Sequence, residues 1–272
     1  MAMENITLTS GMRQNLFSLQ QTTKLMEKTQ VRLASGKSVN SALDDPIAFF
    51  AAQGHTQRAS DLAIRKDEMA EAIQTIKSAD NGISAVLDLI ASAKSTAQSA
   101  AANDSTAERA TLAATYNELM SQIVTLTEDS FYKGINLLEG TGTTLTVTFD
   151  EAGGSQMDVT GIDGTGGLSA HVATGDWADV DDISDNIASL DAARDSLRTD
   201  STTLSNQLST ISVRQDFTDK MINTLNDGAA GLTNADLNEE GANMLMLQTR
   251  QALGTTSLSL ASQAAQAVLR LF

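Results

Sequence analysis

Apolar residues recur along most of this chain at alternating steps of three and four, the spacing that keeps one side of an α-helix apolar. The pattern is densest over Met244 to Phe272, where two series run side by side. One is Leu253, Ser257, Leu260, Ala264, Ala267 and Leu271; the other is Leu258, Ala261, Ala265, Val268 and Phe272. Two adjacent stripes predict a helix with a wide apolar face, in which Gly254 is a weak point and small residues let partner helices come close. Such a helix does not order alone. Burying a large apolar side chain is worth about 1.5–3 kcal/mol, and fixing each residue of the chain costs about 1–2 kcal/mol. Large apolar residues are a minority here, so the face must meet other helices, in this chain or in copies of it.

The front of the chain answers the end. From Ser10, Leu16, Leu19, Thr23, Met26, Gln30 and Leu33 keep the same alternation, and Gly36 is placed to cap the helix. Asp44-Asp45-Pro46 reads as the next helix start, with Asn40 in the loop before it. A carboxylate there accepts from free N–H groups, and Pro suits the first helical position. The pattern then predicts a helix over about 46–102, some 80 Å if unbroken at about 1.5 Å per residue, with Gly54 and Asn81-Gly82 as weak points. Its apolar side includes Ile64, Met69, Ile76, Ile83 and Ile90. A turn at Asn103–Thr106 and a helix over about 105–128 would fold back on it as a hairpin. Gly134 allows a tight bend beyond, followed by Asn136.

Residues 139–181 differ in kind. Nine of the 18 glycines lie between Gly140 and Gly175, and no Lys or Arg occurs from Glu139 to Asp185. Leu145–Phe149 and Gln156–Thr160 alternate like the two strands of a β-hairpin on an acidic, solvated insert. Asp181-Asp182 is positioned to cap another long helix, expected over about 183–228, interrupted by Gly228 and Gly231 and followed by a looser stretch over 232–241. The fold class is therefore mainly α. A long antiparallel helical bundle or coiled coil is formed by both chain ends, with a small central insert carrying a β-hairpin.

Composition narrows the function. Aromatics are 4%, with one Pro and no Cys, which suits long helices packed by small side chains and excludes disulfides and a thiol nucleophile. The net charge of −16 argues against nucleic acid as a partner, since phosphate binding needs basic clusters. No run of about 20 apolar residues predicts membrane insertion, and no signal-peptide pattern opens the chain, so export would take a signal-independent route. Paired carboxylates at Asp44-Asp45 lack neighbours that would complete a metal or acid–base site. His55 reads as solvated, and His171 and Trp177 have no evident partners. No HExxH or GxSxG occurs, so no catalytic, cofactor or metal residue is assigned.

Three groups of residues in this order resemble bacterial flagellins. Arg32-Leu33-Ala34-Ser35-Gly36, with Val39-Asn40-Ser41-Ala42 and Asp44-Asp45, is similar to the family's front motif. Tyr132–Leu138 resembles its central turn, and Gln248–Leu253, Ser257–Ala261 and Gln266–Leu271 resemble its tail. The resemblance implies a structural subunit that self-polymerises into the extracellular flagellar filament for swimming, not an enzyme. It implies terminal helices over 1–40 and 232–272 in the inner filament layer, a helical rod over 41–138 and 182–231, and a surface insert over 139–181. Further partners implied are hook-associated and cap proteins, an export chaperone and the flagellar type III export apparatus. The hook–filament junction protein of the same family is the alternative reading. Leu16, Leu19, Met26 and Leu33 are expected to pack against the last helix, whose interface residues are Leu253, Leu258, Leu260, Val268, Leu271 and Phe272. Each position suits either a contact between copies or an ordinary intrachain core.

Overall fold

The computed structural model of the protein describes residues 10–168 and 177–269. The elements are α1 (Ser10–Ser35), α2 (Pro46–Ala101), α3 (Thr106–Asp129), strands β1 (Thr144–Thr148) and β2 (Gln156–Thr160), α4 (Val180–Thr233) and α5 (Leu237–Leu269). The chain is mainly helical with a two-stranded antiparallel sheet, as its patterning predicts. It divides into two compact units. Unit 1 holds both ends, 1–57 and 224–272, and unit 2 is the run 58–223 between them.

Unit 2 is organised by strict seven-residue spacing. Ile183, Leu190, Leu197, Leu204 and Ile211 of α4 are all buried, and Thr218 continues the line. On α2, Leu62, Met69, Ile76, Ile83, Ile90 and Ala97 do the same, flanked by Ala72, Ala79, Val86, Ala93 and Ala100. Ala113, Tyr116, Met120, Ile123 and Thr127 supply the three–four seam of α3. Side chains repeating every seven residues keep to one side of helices that supercoil left-handedly. Cross-links between α2 and α4 give the direction. Lys94 donates to Asp191 (2.5 Å), Ser201 to Asp80 (2.8 Å) and Lys66 to Asp219 (2.5 Å), so numbers rise on one helix as they fall on the other. Ile64 lies off this seam and is exposed, contrary to its place on the expected apolar side of α2, and Phe217 of α4 is exposed as well.

Asn81-Gly82 does not weaken α2. A Cβ on Gly82 would lie 2.4 Å from Ser130 Oγ and 2.6 Å from Leu138 Cδ1, so the missing side chain is what admits the segment after α3. That segment is tied by its own hydrogen bonds. Tyr132 and Ile135 exchange backbone bonds of 2.9 and 3.0 Å around Lys133 and Gly134, whose φ values of 50° and 83° give a type I′ turn. Buried Asn136 donates from Nδ2 to the carbonyls of Thr127 (2.8 Å) and Glu128 (3.2 Å), and its Oδ1 accepts the Leu138 N–H. The free carbonyls ending α3 are satisfied in this way. Glu71 of α2 accepts from Lys133 Nζ (2.8 Å) and Tyr132 Oη (3.0 Å), and these donors hold its carboxyl below the usual glutamate range.

The insert is solvated on one face alone. The hairpin pairs Leu145 with Val159 and Val147 with Met157, and Val147, Val159, Phe149 and Leu168 are buried in the unit 2 core. Thr146 and Asp158 pair across the outer face at 2.7 Å. Trp177 is the largest departure from expectation. It is fully buried, its ring centroid 4.9 Å from that of Tyr116, and burial pushes the Tyr116 hydroxyl up to about 12. Its φ of 49° is unfavourable for a bulky residue and is held in place by this packing. Beside it, buried Arg109 donates to the Ala178 carbonyl (2.9 Å), which joins the start of α3 to the approach to α4. His171 lies outside the described residues.

Two outcomes follow for unit 2. Gly82→Ala forces overpacking worth about 1–3 kcal/mol, so its thermal midpoint falls, whereas Asn81→Ala at the exposed neighbouring position leaves it unchanged or slightly raised. Because the Glu71 carboxyl is held low, its stabilisation of the turn is complete above the usual glutamate range. It is lost as acidification passes the lowered value. The protection factor of the Ile135 amide, the intrinsic exchange rate divided by the observed rate at the same pH, therefore falls in acid, and Glu71→Gln removes that dependence.

Candidate assembly interface

In unit 1 the two ends of the chain run antiparallel. Arg32 Nη1 meets Glu240 Oε1 at 2.7 Å near one end of the pair, and Leu19 covers Gly254 further along. The connections are joined as well: the Ser38 N–H donates to the Thr233 carbonyl (2.7 Å) and the Ala235 N–H to the Gly36 carbonyl (3.0 Å). Gly36 takes φ 68° and returns its N–H to Arg32 O at 2.8 Å, the left-handed cap expected there.

The loop before α2 is a set of caps. Asp44 Oδ2 accepts from the Asn40 and Ser41 N–H groups, both at 3.2 Å, and the Asn40 bond foremost holds its carboxyl below the usual range. Asp45 Oδ1 accepts from Ile47 and Ala48 N–H at 3.0 Å, with Pro46 first in the helix. Asn40 also donates from its side chain to Lys37 O. Both carboxylates are thus engaged by backbone donors, as helix-start residues. Among the described residues no group of three His, Cys, Asp or Glu is placed to hold a metal ion, and no helix is long and apolar enough to cross a membrane.

Several weak points expected in the terminal helices are continuous helix. Gly228 and Gly231 lie inside α4, which runs on to Thr233, and the looser stretch shrinks to residues 234–236 before Asp236 caps α5. Burial of Leu225 and Ala229, on either side of Gly228, holds that end of α4. Half-buried His55 faces Gly228, its Cδ2 at 3.8 Å from where a Cβ would stand, and is not the fully solvated side chain expected. Gly254 is likewise inside α5: a Cβ there would lie 2.7 Å from Leu19 Cδ2, so the glycine admits Leu19.

The intrachain seam takes in Leu19, Met26, Leu33 and Leu258 but passes to one side of Leu16, Leu253 and Leu260. On α1 it runs through Met12, Leu19, Thr22, Met26, Thr29 and Leu33, and on α5 through Glu240, Met244, Leu247, Gln251, Gly254, Leu258 and Ala261, all buried or half-buried. Leu253 (66% exposed) and Leu260 (62%) lie outside this seam and largely in water. They line up with Met246 (50%) at seven-residue spacing as a second, uncovered stripe. Leu16 is also outside the seam. Val268 is within α5, but its side chain, like Leu271 and Phe272 altogether, lies outside what the structure describes.

More apolar surface is exposed than sequence reading found. Phe17, Leu25 and Val31 of α1 and Leu245 of α5 are uncovered. Leu43 (97% exposed) in the turn before α2, and Ile47 (84%) and Phe50 in its first turns, are uncovered as well. Scattered apolar residues on a surface are ordinary, but stripes of this regularity mark interaction sites. Unit 1 is also close to neutral, so nearly all of the net charge of −16 sits on unit 2. Copies can approach through unit 1 with little repulsion.

Comparison with known proteins accords with such a surface. The model of the bacterial flagellin N-terminal helical region matches residues 7–143, half of the chain. Flagellin FljO of Caulobacter vibrioides is 27% identical over 273 residues, and flagellin FljK of the same organism 28% over 279, each across 100% of both chains. Flagellin B of Rhizobium meliloti is 34% identical over 140 residues, 48% of this chain and 35% of that one. The chain belongs to the bacterial flagellin family.

Proposed function

We propose that the apolar stripes left uncovered on unit 1 are the surfaces through which this flagellin joins its neighbours. As a flagellin the chain is a structural subunit and not an enzyme; it is exported and self-polymerises into the extracellular flagellar filament that serves swimming. The hook–filament junction alternative is not favoured, because relatives matching over the whole length are flagellins. The observation that carries the interface reading is the line Met246, Leu253, Leu260 on α5, half or more exposed beside a seam already filled by α1. Leu19, Met26 and Leu33 then support α5 from the intrachain side, and Leu16, outside the seam, reaches toward neighbours. Leu258 shares the seam, and Val268, Leu271 and Phe272 extend the greasy end.

In this reading residues 1–40 and 232–272 form the inner filament layer, and the helical segments 41–138 and 182–231 surround it. The acidic insert 139–181 faces outward, where its charge stays in water. The same stripes suit the hook-associated and cap proteins at the filament ends. Before export, a chaperone shields α5 from association in the cell, and the type III apparatus then carries the chain out.

Removal of the last ~20 residues leaves a soluble subunit that sedimentation finds unable to polymerise. Leu253→Asp puts a charge where burial of a large apolar side chain is worth about 1.5–3 kcal/mol. It raises the critical concentration for polymerisation more than tenfold, by roughly that energy, while the far-ultraviolet circular dichroism of the free chain is unchanged. Ile47→Asp behaves alike. Normal filaments from either variant, seen by electron microscopy, remove that stripe from the interface.

A further inference from the structure

We infer that unit 2 carries a contact of its own between copies: Phe131 of one copy seats in a notch of the next, formed where α2, the end of the hairpin and α4 meet. The inference uses the self-polymerisation of the chain and not the stripes of unit 1. The notch encloses about 160 Å³ between Leu62, Phe149, Phe217 and Met221, with Arg58 and Arg214 at its rim. An apolar cavity of about 150 Å³ takes up one benzene ring, so this one suits a single aromatic side chain. Phe217 is 54% exposed as it stands, an apolar wall left facing water.

Phe131 is the side chain that fits. At 59% it is the most exposed aromatic among the described residues of unit 2. The segment behind it is fixed by the paired backbone of Tyr132 and Ile135 and by the bond from Tyr132 Oη to Glu71, so little freedom is lost on docking. It also lies elsewhere on the unit, since Glu71 is more than two turns of α2 beyond Leu62. A knob and a socket on different parts of one molecule join copies head to tail, a contact that can repeat without closing. Charge agrees with the fit. Exposed Glu128 and Asp129 immediately precede the knob. At the socket Arg58 is matched by Glu151, and Asp150 accepts from the Gly154 and Ser155 N–H groups. Arg214, its guanidinium 5.2 Å from the Phe149 ring centroid, remains as the cation that meets the incoming carboxylates. An aromatic anchor in an apolar pocket with a charged rim is the usual core of a protein contact.

The test uses the full-length chain. Phe131→Ala is expected to raise the critical concentration for polymerisation about tenfold, while the thermal midpoint of the free subunit is unchanged. Glu128→Lys with Asp129→Lys does the same; positive charge suits the end of α3, so this variant folds. Arg214→Glu also weakens assembly, and combining it with the two lysines restores much of the loss, which a merely structural role for any of these residues does not predict. Because the chain has no cysteine, Asp129→Cys with Arg214→Cys introduces its only thiols. A short bismaleimide then links filaments of that variant into ladders of covalent oligomers on a denaturing gel and leaves free subunits single. Phe131→Ala polymerising like the parent overturns the inference, as does a charge swap without recovery. Impaired assembly with no ladder gives the socket another occupant and overturns the pairing too. Leu253→Asp run in parallel separates this contact from the stripe on α5. If it blocks polymerisation while Phe131→Ala does not, the stripe stands and the socket falls; the opposite result removes the stripe and keeps the socket.

Discussion

A helix with two apolar stripes needs two neighbours, and within the chain α5 has α1 along one of them. A straight α-helix turns about 100° per residue, so the seam through Leu247, Gly254 and Ala261 and the stripe through Met246, Leu253 and Leu260 point to different sides. Filling the first leaves the second in water. On the proposed reading, that leftover surface is what further copies of the chain cover in the polymer.

The two units meet this constraint differently. Unit 2 closes its seams internally: seven-residue lines on α2 and α4, and the three–four seam of α3, are all buried, and one face of the hairpin completes the core. Its surface is free to be acidic. Unit 1 is nearly neutral and exposes large side chains on α1, on α5 and at the start of α2. Its own seam is weak in composition, with Thr22 and Thr29 at positions a stable coiled coil fills with Leu or Ile. The threonine hydroxyl of Thr22 turns back to the Ser18 carbonyl at 2.9 Å, which makes its burial tolerable without adding grip between helices. Stability withheld from the single chain is available to the assembly.

Glycine shows how the same residue serves opposite ends. At Gly36 and Gly134 it takes positive φ, where other residues are strained, and the chain turns. At Gly82 and Gly254 it sits in regular helix and its lack of a Cβ admits Ser130 and Leu138 in one case and Leu19 in the other. Composition distinguishes neither use; the neighbour does.

By itself the sequence determined the helices, their starts at Asp45-Pro46 and Ser105, the tight bend at Gly134, the hairpin and the family, because each rests on contacts between residues close in the chain or on local repeat spacing. Leu19, Met26, Leu33 and Leu258 were legible as seam positions for the same reason. The tertiary structure alone decided the rest. It set Gly254 instead of Leu253 against Leu19, left Leu43 and Ile47 in water, carried Trp177 onto Tyr116, and kept α4 whole through Gly228 and Gly231. A shift of one position turns a helical side chain by more than a quarter circle. Periodicity can therefore say that a stripe exists, but which of two adjacent stripes meets the partner depends on packing between residues over two hundred positions apart.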